Sequence, residues 1–185
     1  SAADFKDKIC LEIGAWPLAR LAVKLLKSKY PPEHITCLDT YNVEKIRQIA
    51  KQEKLEHKIS VVKPKDPLKL PFPDNSFDIL YAGWIPSELL ENSDYLRELA
   101  RVSRRDIVFI MSGLKGDIPP MRDLILNENE PQQRRELKES LTKHFQEHGY
   151  KVDSSLETTL KLDFPDIENI FRTLYFFDFR NSLNK

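Results

Sequence analysis

Short apolar runs alternating with stretches of helical spacing constrain this chain more than any other feature. KICLEIG (8–14), HITCLDT (34–40), KISVVK (58–63), FDILYAG (77–83) and DIVFIM (106–111) are the length of strands and apolar enough to be buried. Strands separated by helices pair in parallel, because a parallel connection must cross over the sheet. Such a sheet is covered by helices on both faces, so the expected fold is α/β, a three-layer α/β/α sandwich. Right-handed crossovers leave few topologies to consider.

The helical stretches carry their own signals. Pro17 suits a first helical turn, and Leu18, Leu21, Ala22, Leu25 and Leu26 then recur on one face until Tyr30-Pro31-Pro32 ends the element. A second helix is expected at 42–54 through Val43, Ile46, Ile49 and Ala50, and a third at 88–104 through Leu89, Leu90, Leu96, Leu99 and Ala100. Residues 114–131 are broken by Pro119, Pro120 and Pro131. A helix at 132–148 should close on Gly149. An extended stretch at 150–160, a short helix at 165–171 and a strand TLYFFDFR (173–180) complete the pattern. No repeat or low-complexity segment interrupts it, and 185 residues form one expected domain, 1–185.

Composition narrows the function classes. The formal net charge is zero, which gives no general surface for nucleic acid. No apolar run reaches the roughly 20 residues of a membrane helix, and SAADFKDK lacks the apolar centre of a signal peptide. Cys10 and Cys37 fall in expected strands and read as two free buried thiols rather than a disulfide, which points to a reducing, intracellular setting, cytoplasmic or nuclear. Neither cysteine has neighbouring ligands for zinc, and no metal is expected. His144 and His148 share the i,i+4 spacing of a metal pair, but with no further ligand nearby they read as a solvated helix face.

The segment LPFPDNSFDILYAG (70–83) places a Pro-bounded loop directly before a buried strand. It resembles the approach to, and passage through, the fourth strand of class I S-adenosylmethionine-dependent methyltransferases. The resemblance covers nearly the whole chain by order of elements. It implies a mostly parallel seven-stranded sheet with an antiparallel last strand, since the two final strands are parted only by a short helix. It also implies S-adenosyl-L-methionine as cofactor.

In that register Glu12 and Gly14 match the acidic residue and first glycine of the family's opening motif. Glu12 would order the loop near the cofactor's amino-acid end, or simply cap the next turn. Asp39 ends the second strand, where the family holds the ribose diol with a carboxylate; the alternative is a helix cap, for which Asn42 is better placed. Asp66, in KPKDPLKLPF, matches the residue that meets the adenine amino group, but Asp66-Pro67 also reads as a turn initiator. The departure is EIGAWPLA (12–19): Trp16 and Leu18 stand where the family's second and third glycines let backbone approach the ligand. Trp16 either walls an open pocket, fills it, or is a core aromatic over the first strand.

On the acceptor side the loop YAGWIPSE (81–88) offers Trp84 for stacking or for covering a sulfonium. Ser87 would bond a substrate or cap the following helix. No histidine is placed as a base, and no catalytic residue is assigned. RVSRRD (101–106) replaces the glycine-rich turn common in the family and exposes Arg101, Arg104 and Arg105, a partner surface or a solvated turn. Without a large insertion, the open face suits a macromolecular acceptor or a partner subunit. Two functions therefore stand: a methyltransferase, or an inactive pseudo-methyltransferase serving as a scaffold in a protein complex. A nicotinamide enzyme is disfavoured, because G-x-G-x-x-G is missing.

Overall fold

Continuous apolar runs give the central strands two buried faces, and each face meets its own layer of helices. The computed structural model describes residues 4–15, 19–66, 68–83, 85–110 and 130–152, all within one unit, Ser1–Ser154. The strands are β1 (Ile9–Ile13), β2 (His34–Leu38), β3 (Ile59–Val62), β4 (Phe77–Gly83) and β5 (Ser103–Ile110). The helices are α1 (Arg20–Leu26), α2 (Val43–Gln52), α3 (Ser87–Leu90), α4 (Ser93–Val102) and α5 (Glu130–Glu147). The five strands run parallel in the order β3-β2-β1-β4-β5. The order reverses between β1 and β4, the place where sheets of this kind bind ligands at their carboxyl ends.

One face of the sheet carries Cys10, Ile35, Cys37, Ile79 and Tyr81 against Ala22, Leu26, Ile46 and Ala50 of α1 and α2. The other carries Leu11, Ile13, Leu38, Leu80 and Ala82 against Leu96, Leu99 and Val102 of α4 and Leu141 and Phe145 of α5. This is the mostly parallel α/β sandwich expected. The expected sixth and seventh strands lie outside the described residues, apart from Tyr150–Val152.

Three local expectations are corrected. The single helix at 88–104 is two, because the Asn92 side chain accepts from the amides of Asp94 and Tyr95 and starts α4 afresh. The strand expected at 106–111 begins at Ser103, directly from α4, and its residues 107–110 are half-buried rather than fully buried. It pairs only with β4 among the described residues, through a bulge that sets Phe77 opposite Ser103 but Ile79 opposite Asp106. Third, Asn42 occupies the N-cap of α2 but makes no side-chain cap bond; Asp39 does that work instead. At the end of α5, Gly149 adopts φ +84° and the Tyr150 amide reaches the Phe145 carbonyl, the stop expected there.

Candidate functional site

The carboxyl ends of β1, β2 and β4 meet at the reversal of strand order, and Gly14 is the tightest point among them. Its φ is +68°, and a Cβ there would stand 2.8 Å from the Gly83 carbonyl oxygen. Glycine is therefore required by the neighbouring strand, whatever lies beyond it. The Gly14 amide donates to the Leu38 carbonyl at 3.3 Å, tying the turn to β2 as well.

Two residues before Gly14, Glu12 is buried. In register it lies between Cys37 on β2 and Tyr81 on β4. The Cys37 thiol donates to Glu12 Oε2 at 3.3 Å. Burial pushes the Glu12 carboxyl up to about 7, helped by the nearby Asp39 charge and opposed by the Cys37 bond and by Tyr81. Burial likewise pushes the Cys37 thiol and the Tyr81 hydroxyl well above their ordinary values. The Tyr81 hydroxyl is close enough to Glu12 to bias its ionisation, yet it closes no hydrogen bond among the described residues. Cys37 and Tyr81 escaped the sequence reading as partners of Glu12. The signal was available: each sits two residues before a strand-end residue, Asp39 and Gly83, as Glu12 does before Gly14.

Asp39 is also buried. Its Oδ1 accepts from the amides of Tyr41 at 2.8 Å and Asn42 at 2.6 Å, which fixes the entry to α2. Oδ2 takes no hydrogen bond among the described residues. Asp66 is exposed and its Oδ1 accepts from the Leu68 amide at 2.8 Å, the turn-initiating arrangement. Thus Glu12, Gly14 and Asp39 gather at one end of the sheet, while Asp66 folds onto its own turn beyond β3. Trp16, Leu18 and Trp84 lie outside the described residues, as does the side chain of Ser87, which opens α3.

The other polar clusters serve structure. Arg101 does not expose its charge as a partner surface: it bonds Glu98, Asp74 and the carbonyls of Leu70 and Phe72. Arg104 donates to the Asn75 carbonyl and to Asp78 but stays exposed, as does Arg105. His144 and His148 stack at 4.3 Å, and no group of three metal-ligating side chains occurs among the described residues. Cys10 and Cys37 are free and buried. No helix among the described residues is long and apolar enough to cross a membrane.

Comparison with known proteins gives this geometry a family. Residues 14–111 match the model of the methyltransferase domain. Among solved structures, a protein of Methanococcus maripaludis assigned as an S-adenosyl-L-methionine-dependent methyltransferase superposes with a TM-score of 0.57 at 16% identity, over 78% of this chain and 69% of that one. A SAM-dependent methyltransferase from Aquifex aeolicus gives 0.50 at 21%, over 62% of each chain. Phosphoethanolamine N-methyltransferase 1 of Haemonchus contortus, solved with phosphoethanolamine and S-adenosylhomocysteine, gives 0.50 at 18%, over 62% of this chain and 25% of that one. At these identities the likeness is one of fold. The chain spans less than two thirds of the length of most structures it resembles. No curated protein sequence matches it.

Proposed function

We propose a function on one premise: this chain belongs to the methyltransferase domain family. It binds S-adenosyl-L-methionine at the carboxyl ends of β1, β2 and β4 and passes the methyl group to an acceptor of macromolecular class. The carrying observation is Asp39. Its carboxylate is locked at Oδ1 by two amides and unbonded at Oδ2 among the described residues. An acceptor oxygen held in place before the ligand arrives loses little entropy when a ribose hydroxyl donates to it. Gly14 and the buried Glu12 support the same end of the sheet for the cofactor's amino-acid portion.

The chemistry such a cofactor supplies is a methyl group activated on sulfonium sulfur. The protein's task is then to bind, orient and exclude water, since proximity and alignment carry much of an in-line displacement. This fits a sequence in which no histidine is placed as a base. Trp16, from the loop after β1, and Trp84 and Ser87, from the loop after β4, are the residues we assign to the cofactor wall and the acceptor side. Asp66 would meet the adenine only by leaving its turn, so it contributes least. The macromolecular acceptor is favoured because β1 to β5 follow one another with no inserted domain to cap a small molecule.

A second reading has its own support. Gly14 is fully accounted for by the Gly83 carbonyl, and EIGAWPLA lacks the later glycines. Those features suit a pseudo-methyltransferase that has kept the fold as a subunit of a complex. Calorimetry with S-adenosylmethionine and S-adenosylhomocysteine separates the two. Micromolar binding upholds the enzyme; no heat and no thermal shift at millimolar ligand upholds the scaffold.

A further inference from the structure

The row Cys37–Glu12–Tyr81 runs across the three central strands on the face covered by α1 and α2. Glu12 is paired in register with both neighbours. All three side chains are buried, Glu12 at 3%, Cys37 at 0% and Tyr81 at 1% exposure. The layer above them is apolar, built of Ala22, Leu26, Ile46 and Ala50, and Phe5 stands edge-on to the Tyr81 ring at 5.7 Å. Among the described residues, the titratable groups that bear on Glu12 are Cys37, Tyr81 and Asp39, with Cys10 beside Tyr81. None of them is a cation, so among the described residues no salt bridge offsets a buried Glu12 carboxylate. The Cys37 thiol donates to Glu12, and the Tyr81 hydroxyl lies close enough to favour the carboxylate while closing no hydrogen bond among the described residues. That hydroxyl carries its own hydrogen, so thiol and phenol are both donors flanking a carboxyl held in an apolar layer.

We propose that Cys37, Glu12 and Tyr81 form a protonation switch within the central sheet, closed when Glu12 is a neutral acid and loosened when it becomes a carboxylate. Burial favours the neutral acid, while the two flanking groups, the Cys37 thiol and the Tyr81 hydroxyl, favour the carboxylate and set where the switch turns. Loss of that proton leaves an anion in an apolar layer, which must draw in water or separate β1 from α1. The strand end so loosened carries Gly14, two residues on. The inference does not depend on cofactor binding.

The sign follows from linkage. A folded-state carboxyl raised from 4.5 to about 7 holds a proton that the unfolded chain has released. Stability is therefore fully present below pH 4.5, falls as pH rises, and levels off above about 7. The test is thermal unfolding of the full chain in reducing buffer across that range, for wild type, Glu12→Gln, Cys37→Ala and Tyr81→Phe. The wild-type midpoint minus that of Glu12→Gln should decline with pH and then flatten. Cys37→Ala removes a bond that favours the carboxylate, so its inflection should move to higher pH, by about one unit for one hydrogen bond to a charged acceptor. Tyr81→Phe should move it the same way. A purely structural role would lower the midpoint equally at every pH. Wild-type and Glu12→Gln curves that stay parallel, or inflections unmoved in both Cys37→Ala and Tyr81→Phe, overturn the switch. Should Glu12→Gln fail to fold, the two inflection shifts decide alone.

Discussion

The Arg101 guanidinium donates to the Phe72 carbonyl at 2.8 Å, joining the last turn of α4 to the loop that leads into β4. The same group reaches the Leu70 carbonyl at 3.1 Å and Asp74 at 2.7 Å. Glu98 grips it at both oxygens, 2.6 and 2.7 Å, and also accepts from the Leu70 amide at 2.9 Å. One residue thus satisfies a Pro-bounded loop that cannot pair as sheet. Arg101→Ala should destabilise the fold by about 2–4 kcal/mol, because it orphans two carbonyls and a carboxylate together. Arg101→Lys should recover less than half, since an ammonium lacks the planar fork. Denaturant titration with a common slope checks both. The Arg101 bond holds Glu98 below the ordinary carboxylate value of 4.5. Its contribution is therefore present above that pH and lost as pH falls below it, and Glu98→Gln should flatten that acid limb.

Gly14 offers a sharper test of the strand ends. An alanine there takes a left-handed φ of +68° and drives its Cβ to 2.8 Å from backbone, the Gly83 carbonyl oxygen. The conformational cost is about 1–2 kcal/mol, and relief of the clash must move one of two central strands. Gly14→Ala should lose about 3 kcal/mol or more, or fail to accumulate as folded protein. A melting temperature within a degree or two of wild type would mean that the β1 turn relaxes freely.

What the sequence revealed and what it hid divide along physical lines. Buried parallel strands are written as continuous apolar runs, so FDILYAG was legible to the residue as Phe77–Gly83. The shared location of Glu12, Gly14 and Asp39 at one end of the sheet was legible, because each lies at or near a strand end where chain direction fixes its place; their binding role belongs to the proposed function. Register is written only indirectly, through the alignment of strand ends, and that alignment is what sets Cys37 and Tyr81 beside Glu12. Arg101 read as a surface charge until its loop partners, some 30 residues earlier, came into contact. The break before α4 was hidden for another reason: an apolar face spans it, and only the Asn92 cap cuts the helix.

The two thiols should behave as core atoms. Both are free and fully buried. Burial raises the Cys10 thiol to about 12, and burial with the Glu12 charge raises Cys37 well above its usual range. Since only the thiolate reacts, native protein at neutral pH should be alkylated at least about a hundredfold more slowly than unfolded chain. Mass spectrometry of timed iodoacetamide reactions, with and without denaturant, measures the ratio. Equal rates in both would mean that the α1–α2 layer opens readily over the sheet.

Asp39 must be tested by a substitution that keeps its capping role. Asp39→Ala removes the acceptor for the Tyr41 and Asn42 amides, so about 1–2 kcal/mol of stability should go with any affinity. Asp39→Asn leaves an oxygen that can hold both amides and turns the other oxygen into a donor, which opposes a ribose hydroxyl that must donate. The expected outcome is a stability within about 0.5 kcal/mol of wild type and a loss of S-adenosylmethionine affinity of at least about tenfold, the equivalent of 1.4 kcal/mol. Alanine and asparagine variants that weaken ligand binding only in proportion to lost stability would confine Asp39 to the helix entry. In that event the nucleoside contact must come from elsewhere on the β2 end, and the scaffold reading gains ground.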